Sequence, residues 1–412
     1  MDDVASVLSK FREDAGDPAG VRLRKMLAIV RAHLGMDVGF VSEFAEGRRV
    51  FRLVDAGVET AVVAGASDPL EESYCQRIVD GRLPEIIHDA GATTATAKLP
   101  VTRALSIGAY IGVPMRLRDG CVYGTLCCFA RQPDRTLGRR DLATLRAFAD
   151  LMAEIIYGDI EAQRTQDECR ARITGTITRS EFTTVYQPIY DLRDNRLTGF
   201  EALTHFAAEP HRAPDLWFAE ALHAGLGGDL EIAALRQACA GLARLPRGTS
   251  LSVNLSPSVI TEPGFTTLFD GLPADRLILE VTEHAKVADY AALAAALQPM
   301  RARGLRLAVD DAGAGHASFR HVLDLNPDII KLDMSLTRDV DRDPARRALA
   351  LALTAFGLAI GSEIVAEGVE TGAELAALRD IGVTKVQGFL LGRPLSLDEA
   401  SALPASLTER TD

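Results

Sequence analysis

In the second half of the chain, apolar runs alternate with amphipathic stretches. The apolar runs end near Pro188, Leu203, Leu255, Thr282, Asp311, Asp333, Glu367 and Phe389. Stretches of helical period lie between most of them, among them Asp229 to Leu245, Val287 to Arg303 and Arg346 to Ile360. Eight strands with interposed helices predict an α/β fold of the (β/α)8 barrel type. One joint departs from that scheme. Only "DLRDNR", Asp191 to Arg196, separates the first two runs, too few residues for a parallel crossover. Those strands are therefore expected to form an antiparallel hairpin. A turn centred on Asp194 sets Gln187 opposite Glu201.

The first half has another pattern. A helix is expected from Val21 to Leu34, and strands at "VGFVSEF", "AYIGVPMRL" and "VYGTLCCF", the last two joined at Asp119-Gly120. From Gly138, the residues Leu142, Leu145, Phe148, Met152, Ile155 and Ile156 recur at helical spacing, and beyond Tyr157 the stretch turns polar. One long helix leaving a first domain fits this. The order resembles a GAF domain, an α+β sensor module, although a PAS-like domain shares the layout. Domains are expected at 1–160 and 178–412, with a helical linker at 161–177. Single residues such as His88 and Cys75 are read as structural rather than as haem or bilin attachments. "GLGGDLE", Gly225 to Glu231, is read as a helix start.

Composition narrows the partners. With 412 residues, two domains are the prior. A net charge of −12 argues against gripping long nucleic acids by phosphate neutralisation. Small anionic substrates remain open if bound metals supply positive charge. The run Ala348 to Gly361 is short of the ~18 residues a membrane span needs. No apolar signal region opens the chain. The six cysteines form no CxxC pair, and Cys127 and Cys128 are neighbours in a strand whose side chains face opposite ways. Free, mostly buried thiols in a cytoplasmic protein are expected.

Candidate chemistry collects where the strands end. In a barrel these ends converge on one mouth. They carry Glu201, Asn254, Glu280, Glu283, Asp310, Asp311, Lys331, Asp333, Glu367, Glu370 and Gln387. Barrel interiors are mostly Val, Ile and Leu, so so many polar groups are not core filler. Carboxylates with an amide oxygen form a hard-oxygen site suited to Mg²⁺ or Mn²⁺. Two such ions sharing a carboxylate can clamp a phosphodiester and activate water.

At these residues the chain resembles the EAL family of cyclic di-GMP phosphodiesterases, over about Thr178 to Leu403. The motifs "YQPI", "EAL", "NLS", "ExTE", "DD", "KLD", "AEGVE" and "QGF" occur in the family's order. The resemblance implies hydrolysis of cyclic di-GMP to linear pGpG with two ions of Mg²⁺ or Mn²⁺ per site, Ca²⁺ being inhibitory. By that match Glu201, Asn254, Glu280, Asp310 and Asp311 are metal ligands, Glu201 also counting as catalytic. Lys331 holds or helps deprotonate the attacking water, and Glu367 completes the second-metal side. Gln187, Leu203, His205 and Gln387 face the nucleotide. Gln387 also belongs with Glu370 and Asp333 to the supporting shell, and Glu283 anchors the loop after the aspartates.

Three positions depart from the family's pattern. Ala312 and His316 stand where aromatics are usual in the aspartate loop, and His205 replaces the arginine after "EAL". Weaker substrate binding is the expectation. A homodimer through the long helix is expected, as is an unidentified small ligand or protein signal at the N-terminal domain. The alternative function is a catalytically silent cyclic di-GMP receptor, a class free to discard metal carboxylates. Another cyclic dinucleotide is a third reading, because the ligands specify the metals more than the base.

Overall fold

The structure is a computed structural model, and it describes residues 19–282, 287, 289–312 and 318–406. The chain separates into two compact units, 1–165 and 166–412. No helix among the described residues is long and apolar enough to cross a membrane.

The first unit is built on a six-stranded antiparallel sheet in the order β3-β2-β1-β6-β5-β4. The strands are β1 (Val38–Ala45), β2 (Arg48–Ala56), β3 (Ser67–Pro69), β4 (Ile86–Ile87), β5 (Ala109–Arg116) and β6 (Val122–Ala130). Both faces are covered, so alternate residues on one strand enter two different cores. Val41, Ile111, Leu126 and Cys128 pack under the helix Ala19–His33 and the first turns of the helix Arg139–Thr178. Phe40, Tyr110, Cys127 and Phe129 pack on the other side, against the helix Tyr74–Val79. The expected β5–β6 hairpin is present. Gly120 takes φ +86°, and the backbone N–H of Cys121 donates to Asp119 Oδ1 at 2.9 Å.

The second unit is a closed eight-stranded barrel, β7 to β14. The strands are β7 (Phe182–Asp191), β8 (Arg196–Phe206), β9 (Ser250–Asn254), β10 (Leu277–Thr282), β11 (Arg306–Ala312), β12 (Ile329–Leu332), β13 (Glu363–Ala366) and β14 (Lys385–Val386). β8 through β14 run parallel, while β7 is antiparallel to both its neighbours. The short "DLRDNR" joint forces this, and Gln187 pairs with Glu201.

Three strand ends differ from expectation, the first being β7, which continues to Asp191 rather than Pro188. β8 continues to Phe206 rather than Leu203, because its ladder with β7 outlasts its pairing with β9. The last strand stops at Val386 rather than near Phe389. Gly388 leaves the ladder there and packs so closely on Val369 that an added Cβ would lie 2.2 Å from its backbone nitrogen.

Candidate active site

The barrel interior is organised in layers two residues apart. Ile189, Ile278, Ala308, Ile329 and Val365 form one buried apolar cluster. Two residues further toward the mouth stand Gln187, Glu280, Asp310 and Lys331 on their strands, and Glu367 just past the end of β13. Strand period alone lifts these polar groups onto a common level above an apolar floor.

Lys331 is at their centre, with its side chain 1% exposed. Its Nζ lies 2.6 Å from Glu367 Oε1, 2.7 Å from Glu280 Oε2, 3.2 Å from Asp310 Oδ1 and 3.4 Å from Glu201 Oε1. An ammonium has three donors, so four carboxylates oversubscribe it. Burial works to lower the Lys331 pKa, but the four surrounding carboxylates outweigh it and hold the ammonium well above its usual range. The acids respond in turn. Burial, with the charges of Glu201 and Asp310, pushes Glu280 up to about 8 against the pull of Lys331. Glu367 is likewise raised, chiefly by burial.

The paired aspartates solve a geometric problem. Adjacent residues of a regular strand face opposite ways. Here β11 slips register, with Val309 opposite Ile330 but Ala312 opposite Leu332, which is a bulge. Asp311 takes a left-handed φ of +59°, and its N–H donates to Asp310 Oδ1 at 2.9 Å. Asp is among the few side chains that tolerate that conformation. The bulge re-aims Asp311, so that carboxylate oxygens of Asp310, Asp311 and Glu367 lie within 4.8 Å of one another. A second trio, Glu201, Glu280 and Asp310, meets the same distance. Asp310 belongs to both.

This donor set fits divalent cations. Every contributed atom is a hard oxygen. With all five carboxylates ionised, one ammonium leaves four negative charges uncompensated, the charge of two divalent ions.

Amides brace the cluster. Gln387 Nε2 donates to Glu201 Oε2 at 2.5 Å and to Gln187 Oε1 at 3.0 Å, while Gln187 Nε2 donates to Gly392 O at 3.3 Å. Asn254, exposed at the end of β9, donates through Nδ2 to Glu201 Oε1 at 3.4 Å. Beside it opens a cavity of about 590 Å³, lined by Leu203, Asn254 and Glu280 together with Asp215, Phe218 and Glu231. The last three were not singled out in the sequence. Asp215 follows Pro214 in the first turn of a helix, where an acid reads as a helix-dipole partner.

Other candidates lie apart. His205 is exposed and does not line that cavity. Asp333 caps the helix Met334–Thr337 by accepting from the N–H of Ser335 at 2.9 Å. Glu370 is exposed and pairs with Arg338 at 3.0 Å. Glu283 and His316 fall outside the described residues. Glu374 organises the loop after Glu367, accepting from the N–H groups of Asp339, Glu370 and Thr371 at 3.0 Å each. Its signal was readable as the capping box Thr371-x-x-Glu374.

The barrel with this mouth belongs to a class of known proteins. An EAL domain model matches residues 170–394, and a GAF domain model matches 20–156. The chain belongs to the EAL domain family and carries a GAF domain at its N-terminal side. An uncharacterised protein of Mycobacterium tuberculosis is 32% identical over 302 residues, 68% of this chain and 97% of that protein. An uncharacterised signalling protein of Caulobacter vibrioides is 30% identical over 344 residues, 80% of this chain and 41% of that protein. The chain spans only 31%, 41% and 32% of the length of the first curated relatives it matches. Among solved structures, the PaMucR phosphodiesterase in its c-di-GMP complex is 27% identical with a TM-score of 0.52, covering 56% of this chain and 99% of that one.

Proposed function

We propose that the EAL domain hydrolyses one phosphodiester of cyclic di-GMP to give linear pGpG, under control of the GAF domain. The observation that carries this reading is the pair of carboxylate trios sharing Asp310 beside a cavity of about 590 Å³. That volume falls within the range of small-ligand sites, about 300–1,000 Å³. The similar phosphodiesterase bound to c-di-GMP supports the choice of substrate. Glu201, Asn254, Glu280 and Asp310 would hold one cation, and Asp310, Asp311 and Glu367 the other. When bound, Mg²⁺ or Mn²⁺ supplies Lewis acidity and a water-derived nucleophile. Lys331 Nζ donates to the attacking oxygen and orients it. Gln187 and Gln387 hold the Glu201 carboxylate in one orientation, and Leu203 offers apolar surface to the nucleotide. Ca²⁺ should bind yet support little turnover, being larger and less demanding in geometry. The proposal includes a homodimer and a small ligand or protein signal at the GAF domain.

The test incubates the purified protein with cyclic di-GMP in Mg²⁺ or Mn²⁺ and separates the products by chromatography. Formation of pGpG is expected. Its absence in both metals, with binding retained, would favour the silent receptor.

A further inference from the structure

The GAF domain buries an arginine. The Arg49 side chain is 2% exposed, and its guanidinium centre lies 4.5 Å from the Phe51 ring centroid and 5.7 Å from that of Phe40. Isolated charge is strongly disfavoured in such surroundings, so each donor should meet a strong acceptor. Nε donates to Asp68 Oδ1 at 2.9 Å and Nη2 to Asp68 Oδ2. The remaining arm, Nη1, points at Cys75 Sγ, 3.3 Å away. A neutral thiol is a weak acceptor, whereas a thiolate is a full counter-charge.

Cys75 has a second sulfur beside it. Cys127 Sγ is 3.9 Å from Cys75 Sγ, and both residues are completely buried. Cys127 in turn donates to Thr125 Oγ1 at 3.2 Å, and the Tyr110 hydroxyl lies 3.7 Å from Cys75. Helix Tyr74–Val79 and strand β6 thus each hold one sulfur, 52 residues apart in sequence. Burial opposes ionisation at both. At Cys75 the Cys127 hydrogen bond and the Arg49 charge overcome it and hold that thiol well below its ordinary range, while Cys127 is pushed well above. The Arg49 guanidinium at 3.3 Å therefore favours Cys75 as the nucleophilic sulfur of the two.

We propose that Cys75 and Cys127 form a reversible disulfide, with Cys75 attacking a hydroperoxide and Cys127 resolving the product. With hydrogen peroxide, the Cys75 thiolate attacks one oxygen and the O–O bond breaks. Hydroxide leaves, takes up a proton as water, and a sulfenic acid remains on Cys75. The Cys127 sulfur then displaces that hydroxyl, its own proton leaving with it as a second water. The two sulfurs give up two electrons and the peroxide accepts them. The S–S bond of about 2.05 Å requires the sulfurs to close from 3.9 Å, a separation at which they already touch. Access comes through β3, a three-residue edge strand whose Asp68 holds Arg49. Short edge elements open at low free-energy cost, and opening this one loosens the guanidinium over the sulfurs.

The test uses the full chain carrying Cys121→Ser, which removes the one exposed thiol. Hydrogen peroxide is added, free thiols are alkylated after unfolding, and peptides are mapped without reductant. A cross-link between the Cys75 and Cys127 peptides, reversed by dithiothreitol, is expected. Adding Cys127→Ser should stop the reaction at the sulfenic acid, trapped by dimedone on Cys75. Arg49→Met should slow Cys75 oxidation at least ~tenfold by removing the cation, and Arg49→Lys should stay within a few-fold. If Arg49→Met does not fold, the dimedone trap and Arg49→Lys decide alone. Both thiols remaining alkylatable after excess peroxide would overturn the proposal. So would a cross-link joining another pair, or a dimedone adduct appearing first on Cys127.

Discussion

Replacing Lys331 with methionine removes a cation that contacts four carboxylates, keeping a similar length of apolar stem. Lys331 and Glu280 are each 1% exposed, so the acids cannot recover hydration. Breaking a buried pair by deleting one partner typically costs ~3–5 kcal/mol. A domain of this size shifts its Tm by roughly 2–4 °C per kcal/mol, so a drop of about 6–20 °C is expected without metal at pH 8. Added cations should reverse part of it. At 100 times Kd each bound ion stabilises a folded protein by about 2.7 kcal/mol, and with the competing ammonium gone the ions bind the variant more tightly than wild type, which narrows the gap between them. The assay is thermal unfolding followed by tryptophan fluorescence. The chain has a single tryptophan, Trp217, fully buried in the barrel unit against Phe206, so the signal reports that unit alone. Lys331→Met and wild type are compared in EDTA and in excess Mn²⁺. Equal Tm losses in both conditions would show that ammonium and metals do not share one set of carboxylates, and the assignment would fail.

Four more outcomes follow from the same site. Asp310→Asn, Asp311→Asn and Glu201→Gln should each lower pGpG formation at least ~10³-fold with little change in Tm, and near-normal turnover by any of them would remove it from the ligand set. Asp311→Gly should also abolish turnover but raise Tm, because glycine relieves a left-handed backbone that costs an aspartate about 1 kcal/mol; a lower Tm would contradict the bulge. Without metal, the Glu280 carboxyl has a folded pKa of about 8 against an ordinary value of 4.5, so the folded state holds the extra proton between those pH values. Its contribution is present below about pH 4.5 and is lost as pH rises to 8, so Tm in EDTA should fall across that window and Glu280→Gln should flatten the fall. His205 lies outside the cavity, so His205→Arg should leave cyclic di-GMP binding in Ca²⁺ within about twofold of wild type, whereas a gain of roughly tenfold or more would show that the longer arginine reaches the phosphate. Unchanged affinity at both pH 6 and pH 8 would show that this position does not reach the phosphate.

Period and joint length carried most of the architecture. Eight apolar runs marked the barrel strands, and a six-residue connection dictated the antiparallel hairpin. The same period placed Glu280, Asp310, Lys331 and Glu367 on one level, because each stands two residues beyond an apolar floor residue. The long helix was legible too, but not the use of its apolar stripe. Leu145, Phe148, Met152 and Ile156 are buried within the GAF core, so that stripe does not by itself call for a partner helix.

What escaped the sequence is what depends on register. Alternation sends Asp310 and Asp311 to opposite faces of β11, and nothing in "VDDAGAG" says that the strand bulges at that point. A bulge is usually signalled by glycine at the left-handed position, and here an aspartate occupies it. Glycine there would relieve strain but supply no oxygen, whereas aspartate accepts the strain and supplies one. Local strain at Asp311 is therefore the structural counterpart of its proposed role. The Asp311→Gly variant separates the two by moving stability and turnover in opposite directions.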